Sequence, residues 1–203
     1  MKNIIAFLVL AVFVLPVTAV SQPHDQSKME SEHSHDKMNM GAQPMAMGMS
    51  GMKALSGLSG KAFNIAFMSQ MIAHHRAAIE MARQALKVAR HAETRTQAHM
   101  VITDQNKEIA QMTSWLRKWY GIAPVEEQMD LVQADMKGMM SMKITTDRMF
   151  FEMMMPHHKG AIDMGQMALK QTDRAEVKQL AHNIVKAQKA EIIRYKMLLK
   201  HVG

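Results

Sequence analysis

From Phe67 onward, apolar and small residues return every three or four positions. Phe67, Met71, His74, Ala78, Ala82, Ala85 and Ala89 share one face of a helical wheel, and Arg76, Glu80, Arg83, Lys87 and Arg90 stand opposite. That period predicts an amphipathic helix starting after Ser59-Gly60. A second helix is predicted from about Glu93 to Tyr120, with Ala98, Val101, Gln105, Glu108, Ile109, Met112, Trp115 and Trp119 inside and Gly121 and Pro124 as its stop. Thr145, Thr146 and Asp147 offer N-cap chemistry for a third helix reaching about Gln171, and Thr172 and Asp173 do the same for a fourth running to about His201. Between the second and third lies a Met-rich connector, residues 121–144, with Met129, Met136, Met139, Met140 and Met142 and room for a short helix.

The two halves repeat at an offset of 83 residues, the distance from Phe67 to Phe150. Phe67, Met71, His74, His75, Ala78, Ile79 and Met81 map onto Phe150, Met154, His157, His158, Ala161, Ile162 and Met164. Gln105, Glu108 and Ile109 map onto Gln188, Glu191 and Ile192. Each half is then a helical hairpin with an apolar stripe it cannot bury alone, and two hairpins together predict an all-α four-helix bundle over residues 61–203.

The amino end reads differently. Lys2 precedes an unbroken apolar run from Ile4 to Leu15, followed by Pro16 and the small residues up to Ser21. This is the pattern of a secretory signal peptide, residues 1–21, with cleavage expected after Ala19 or Ser21. The alternative, an uncleaved anchor, is disfavoured because the run falls short of the ~20 residues a span needs. An exported, periplasmic protein without a stable membrane anchor is therefore expected. From Gln22 to Gly60, Met, His, Ser, Gly, Asp and Lys dominate, with Leu55 and Leu58 as the only branched core formers, so a disordered Met/His-rich tail is expected there.

Composition then narrows the chemistry. Among 203 residues there are 25 Met and no Cys. The missing thiols exclude disulfide scaffolds, thiolate zinc sites, iron-sulfur clusters and thiol nucleophiles. The net charge of +7 is spread among acidic residues without interleaved aromatics, which argues against nucleic acid as a partner. Any metal chemistry runs on His, Met and carboxylates.

On the first helix His74 and His75 follow Met71 by three and four residues, so imidazole and thioether share a face, with Met68 one turn away. His157 and His158 follow Met154 in the same way, with Met153 and Met155 beside it. Two readings of these histidines stay open. They are metal ligands, or they are core histidines hydrogen-bonded to Glu108, Glu191, Gln105 or Gln188. Pro156 removes one backbone hydrogen bond and frees the carbonyl of Glu152 near the second pair. In the tail, Met38, Met40, Met45, Met47, Met49 and Met52 cluster downstream of His24, His33 and His35. Thioethers outside a core, in a compartment where thiols oxidise, suit a soft cation such as Cu(I) or Ag(I), and imidazoles extend the set to Cu(II). Zinc prefers more His, Cys or carboxylate. Gln22-Pro23-His24 fails as an amino-terminal Cu(II) chelate because Pro23 has no amide hydrogen.

The segments FMSQMIAHHRAAIEMA (67–82) and FFEMMMPHHKGAIDMG (150–165) resemble the doubled signature of domain-of-unknown-function family 305 (DUF305), over about residues 55–203. That family comprises exported ferritin-like four-helix proteins and includes CopM-type copper-binding proteins. The resemblance implies periplasmic binding of copper, and of silver, in metal homeostasis or resistance. Its ligands would be the Met and His of the motif and the Met-rich tail, and its partners metal ions and other envelope copper-handling proteins. Ala73 stands where the family favours Pro, and Gly165 where Ala is usual. No catalysis is expected. A di-iron oxidase needs Glu plus inward Glu-x-x-His, and that spacing occurs only in the tail, as from Glu30 to His33. A b-type haem bundle and a metal-free helical interaction module of the envelope are the remaining alternatives, separable by a Soret band and by a metal titration.

Overall fold

Helix α2 (Gly60–Val88) is the element around which the others are arranged. A computed structural model of the protein describes residues 49–202. Within them lie α1 (Met49–Ser56), α2, α3 (Ala92–Tyr120), α4 (Glu126–Ser141), α5 (Asp147–Gln171) and α6 (Ala175–Leu198), and no strand occurs among the described residues. Helices α2 with α3 and α5 with α6 form the two hairpins. The hairpins join through α2 and α5, which run antiparallel: Asn64 meets Thr172 and Asp173 at one end, while His74 meets His157 in the middle. This is the predicted four-helix bundle, with helix limits within a few residues of those read from periodicity.

Its core comes in two apolar clusters. One holds Phe63, Phe67, Met68, Met71, Met112, Leu116, Met164 and Leu180, and the other Met81, Ala82, Phe150, Phe151, Met153, Met154 and Tyr195. Gly165 has its reason in the second hairpin. A Cβ there would stand 2.8 Å from Val185 Cγ2 and 3.3 Å from the Ala181 carbonyl, so α6 lies too close to α5 for a side chain.

Three features depart from the expectations. Residues 49–60 are not part of a disordered tail, because α1 forms and inserts Leu55, fully buried, into the first cluster. One leucine among polar neighbours carried too little periodic signal to reveal this. Asp135 accepts the Ser50 and Gly51 N–H groups (3.4 and 2.9 Å), so the start of α1 is held from a distant helix. The signal segment 1–21 and tail residues 22–48 lie outside the described residues.

Secondly, the connector forms a 16-residue helix, α4, which packs on α2 through Val132 and Met136 against Ala73 and Ala77. Those small residues admit it, and α2 is consequently buried on more than its one apolar stripe. Thirdly, Thr172 and Asp173 do not cap α6, whose N-cap is Arg174 without a side-chain cap bond. They are used instead to tie the hairpins: the Thr172 hydroxyl donates to Asn64 Oδ1 (2.5 Å) and Asn64 Nδ2 donates to Asp173 Oδ1 (2.6 Å). The predicted cap of α5 is present, with Thr146 Oγ1 accepting the Met149 N–H. Gly121, at φ 70°, ends α3 in the left-handed region that glycine enters without strain.

Near that end Trp115 and Trp119 stack at 4.9 Å between ring centroids, and the Arg174 guanidinium lies 4.2 Å above Trp119. The start of α6 is thereby fastened to the end of α3. Further along, α3 and α6 flank an open groove of about 230 Å³, lined by Gln105 and Glu108 from one and Gln188 and Glu191 from the other.

Candidate metal centre

Helical spacing places His74 and His75 side by side on α2, and His157 and His158 likewise on α5; all four are fully buried. Successive residues diverge by about 100° around a helix, so the members of a pair face different neighbours. The first members turn toward the other hairpin: the His74 and His157 rings meet at 3.8 Å between centroids, and His157 Nε2 donates to the His74 carbonyl (3.1 Å). The second members turn toward the partner helix of their own hairpin. His75 Nε2 donates to Glu108 Oε2 at 2.6 Å, and His158 Nε2 stands 2.8 Å from Glu191 Oε2, outside hydrogen-bonding alignment. The repeat in sequence is thus a repeat in space. The four rings form one polar layer between the two apolar clusters.

Burial, reinforced by the neighbouring histidines, holds the His74 and His157 imidazoles well below their ordinary pKa, so both are neutral at neutral pH. Each of the four Nδ1 atoms is buried without a partner, and so is His74 Nε2. An unsatisfied buried acceptor costs about 1–3 kcal/mol. Gln105 and Gln188, the alternative partners in the core-histidine reading, are not bonded to the rings, and the side-chain oxygens of both are also without partners.

The methionines of the motif flank this layer. Met68 and Met71 are packed in the cluster on one side, Met153 and Met154 in the cluster on the other, and half-buried Met155 lies against the second. Of the tail candidates, Met52 is half-buried on α1 against the first cluster and Met49 opens α1. Met38, Met40, Met45 and Met47 lie outside the described residues. Among the described residues no three His, Asp or Glu side chains converge to hold an ion.

Sequence reasoning missed two methionines that the fold brings to the histidines. Met136 of α4 and Met164 of α5 line a small cavity against His74, together with Met52, Gln70 and Asp135. No spacing rule relates Met136 to His74, and its place in the Met-rich connector was the one available sign. Tyr195 was missed as well: it is fully buried beside His158, 5.5 Å between ring centroids, with its hydroxyl unpartnered and its pKa pushed far up by burial.

A family model described as Domain of unknown function (DUF305) matches residues 17–116 and 64–199. Among solved structures, CopM in the Cu(II)-bound form is 31% identical, with a TM-score of 0.57, and the match covers 68% of this chain and 97% of that one. CopM in the Cu(I)-bound form is 32% identical, with a TM-score of 0.58 and coverage of 68% and 96%. CopM soaked with Ag gives a TM-score of 0.58 at 31% identity, over 68% of this chain and 95% of that one. A DUF305 fragment from Deinococcus radiodurans is 27% identical, with a TM-score of 0.57, over 68% of this chain and 96% of that one. No curated protein matches the sequence. With the bundle, the doubled histidine motif and the family match in agreement, the chain belongs to the DUF305 family.

Proposed function

We propose that this protein is an exported copper-binding protein of the periplasm that sequesters Cu(I), Cu(II) and Ag(I) through Met and His side chains, as carrier or store and not as a catalyst. One observation carries the reading: four buried histidines whose Nδ1 atoms have no partner, while Nε2 of His75 and His157 is engaged by an acceptor and Nε2 of His158 faces one. Metal-bound imidazoles characteristically give their second N–H to a carboxylate or a carbonyl, which fixes the tautomer and leaves the other nitrogen bare for the ion. The Glu108–His75 pair has that form. Bare acceptors are a cost to an apo bundle, and a ligand role is what offsets it. The copper- and silver-bound CopM structures support the same ions.

Export is supported by the leader-like residues 1–21. No helix among the described residues is long and apolar enough to cross a membrane. Envelope proteins that supply or accept copper are its proposed partners. Competition with a Cu(I) chelator tests the reading: several Cu(I) equivalents should be retained per chain, and Zn(II) should not displace them. Dialysed protein that holds no more copper than a Met-poor helical control would sink it.

A further inference from the structure

Helices α1 and α4, which a four-helix plan does not need, close over one flank of α2 and leave a cavity of about 20 Å³ against His74. That is room for one water-sized particle, for which about 10–15 Å³ suffices. The polar groups of its wall are nearly spent. Gln70 Nε2 donates to the Gly51 carbonyl (3.2 Å) and to Gln128 Oε1 (2.8 Å), and Asp135 accepts the first N–H groups of α1. What remains unpaired and buried is Gln70 Oε1 and both ring nitrogens of His74. Met52, Met136 and Met164 line the same cavity.

A water molecule would satisfy His74 and Gln70, but it gives no reason for three methionines around one void. Leucine fills space as well and specifies its packing better. We propose that this cavity binds one soft monovalent cation, Cu(I) or Ag(I), with a His74 ring nitrogen and the sulfur atoms of Met136, Met164 and Met52 as ligands. The proposal rests on the copper-binding reading above and names a site within it. Thioether and imidazole are soft, uncharged donors that match a soft cation. A single positive charge is the least costly to bury, and the Asp135 carboxylate and Gln70 Oε1 at the wall oppose it.

The site has no twin among the described residues. At the 83-residue register Gln70, His74 and Met164 correspond to Met153, His157 and Met81, but α1 and α4 occur once. One such ion per chain follows, whatever the symmetric histidine layer or the tail adds.

The test uses the full mature chain with methyl-13C methionine. On addition of silver nitrate, the first tightly bound equivalent should shift the methyl signals of Met136, Met164 and Met52. The volume-conserving double variant Met136→Leu, Met164→Leu should lose one equivalent of Ag(I) and of Cu(I) in chelator competition while the others remain. Wild-type signals of these three methionines that stay in place through the tight equivalents overturn the site, whether or not the variant folds. So does a double variant with undiminished stoichiometry and affinity; in both cases the copper-binding reading stands. A wild-type chain that takes up neither ion overturns both.

Discussion

Asp147 shows how much one buried carboxylate decides. Burial alone would raise its pKa, but the Arg90 and His91 backbone N–H groups, the His91 ring and the neighbouring Thr94 hydroxyl outweigh that and bring it from 3.8 down to about 2. A depressed carboxyl contributes stability above its unfolded pKa and loses it as the pH falls from about 4 toward 2, roughly 2 kcal/mol in all. Asp147→Asn should therefore lower the unfolding free energy at neutral pH by roughly 1–2 kcal/mol. Urea titrations of variant and wild type should converge near pH 2; equal midpoints at pH 7 would refute the assignment. His74 and His157 act in the same direction at higher pH. Their folded pKa values lie well below 6.5, so the unfolded chain takes up protons first and the metal-free protein should weaken progressively below that pH. A urea midpoint that is flat between about pH 7.5 and pH 5.5 would show that these rings are not held neutral by burial.

Among the elements, α1 and α4 carry the differences from the sequence reading. The four long helices announced themselves through a sustained 3.6-residue period, and the repeat doubled the evidence for each. Residues 49–56 had no such period, since Leu55 is the sole large aliphatic in the helix and its burial depends on partners far along the chain. The histidine pairs were legible as inward-facing, and Glu108, which engages His75, stood among four candidate partners with Glu191, Gln105 and Gln188. The cavity against His74 was not, because it is closed by α4, whose docking on Ala73 and Ala77 is a matter of tertiary fit. This ordering predicts a sharp boundary. Leu55→Ala should cost about 2–4 kcal/mol as a fully buried leucine. Removing residues 22–59 should lower the melting temperature for the same reason. Truncation of residues 22–48 should lower the copper stoichiometry and leave the transition of the bundle in place, as their composition predicts; a loss of cooperativity on that shorter deletion would contradict it.

For the molecule as a whole, the duplicated hairpin makes the histidine layer symmetric in its chemistry. His75→Gln and His158→Gln each remove one imidazole while keeping a polar group in contact with Glu108 or Glu191. Comparable losses of copper affinity are expected from the two variants, read by chelator competition. The stability cost should be larger at His75, because of the two it alone holds an aligned hydrogen bond. Variants that unfold the bundle with unchanged copper per folded molecule would assign the layer to packing and the ligands elsewhere.

The paired indoles at the end of α3 give the molecule a single optical reporter. With no other tryptophan in the chain, Trp115 and Trp119 are near-parallel chromophores 16° apart in plane, close enough for their transitions to couple. Their near-ultraviolet dichroism and emission depend on the Arg174 clasp that shuts α6 against α3. Trp115 lies roughly 10 Å along α3 from Glu108. During a copper titration, then, a change in exciton dichroism records the opening of that clasp, whereas emission that dims while the dichroism holds records quenching by an ion bound farther down the bundle.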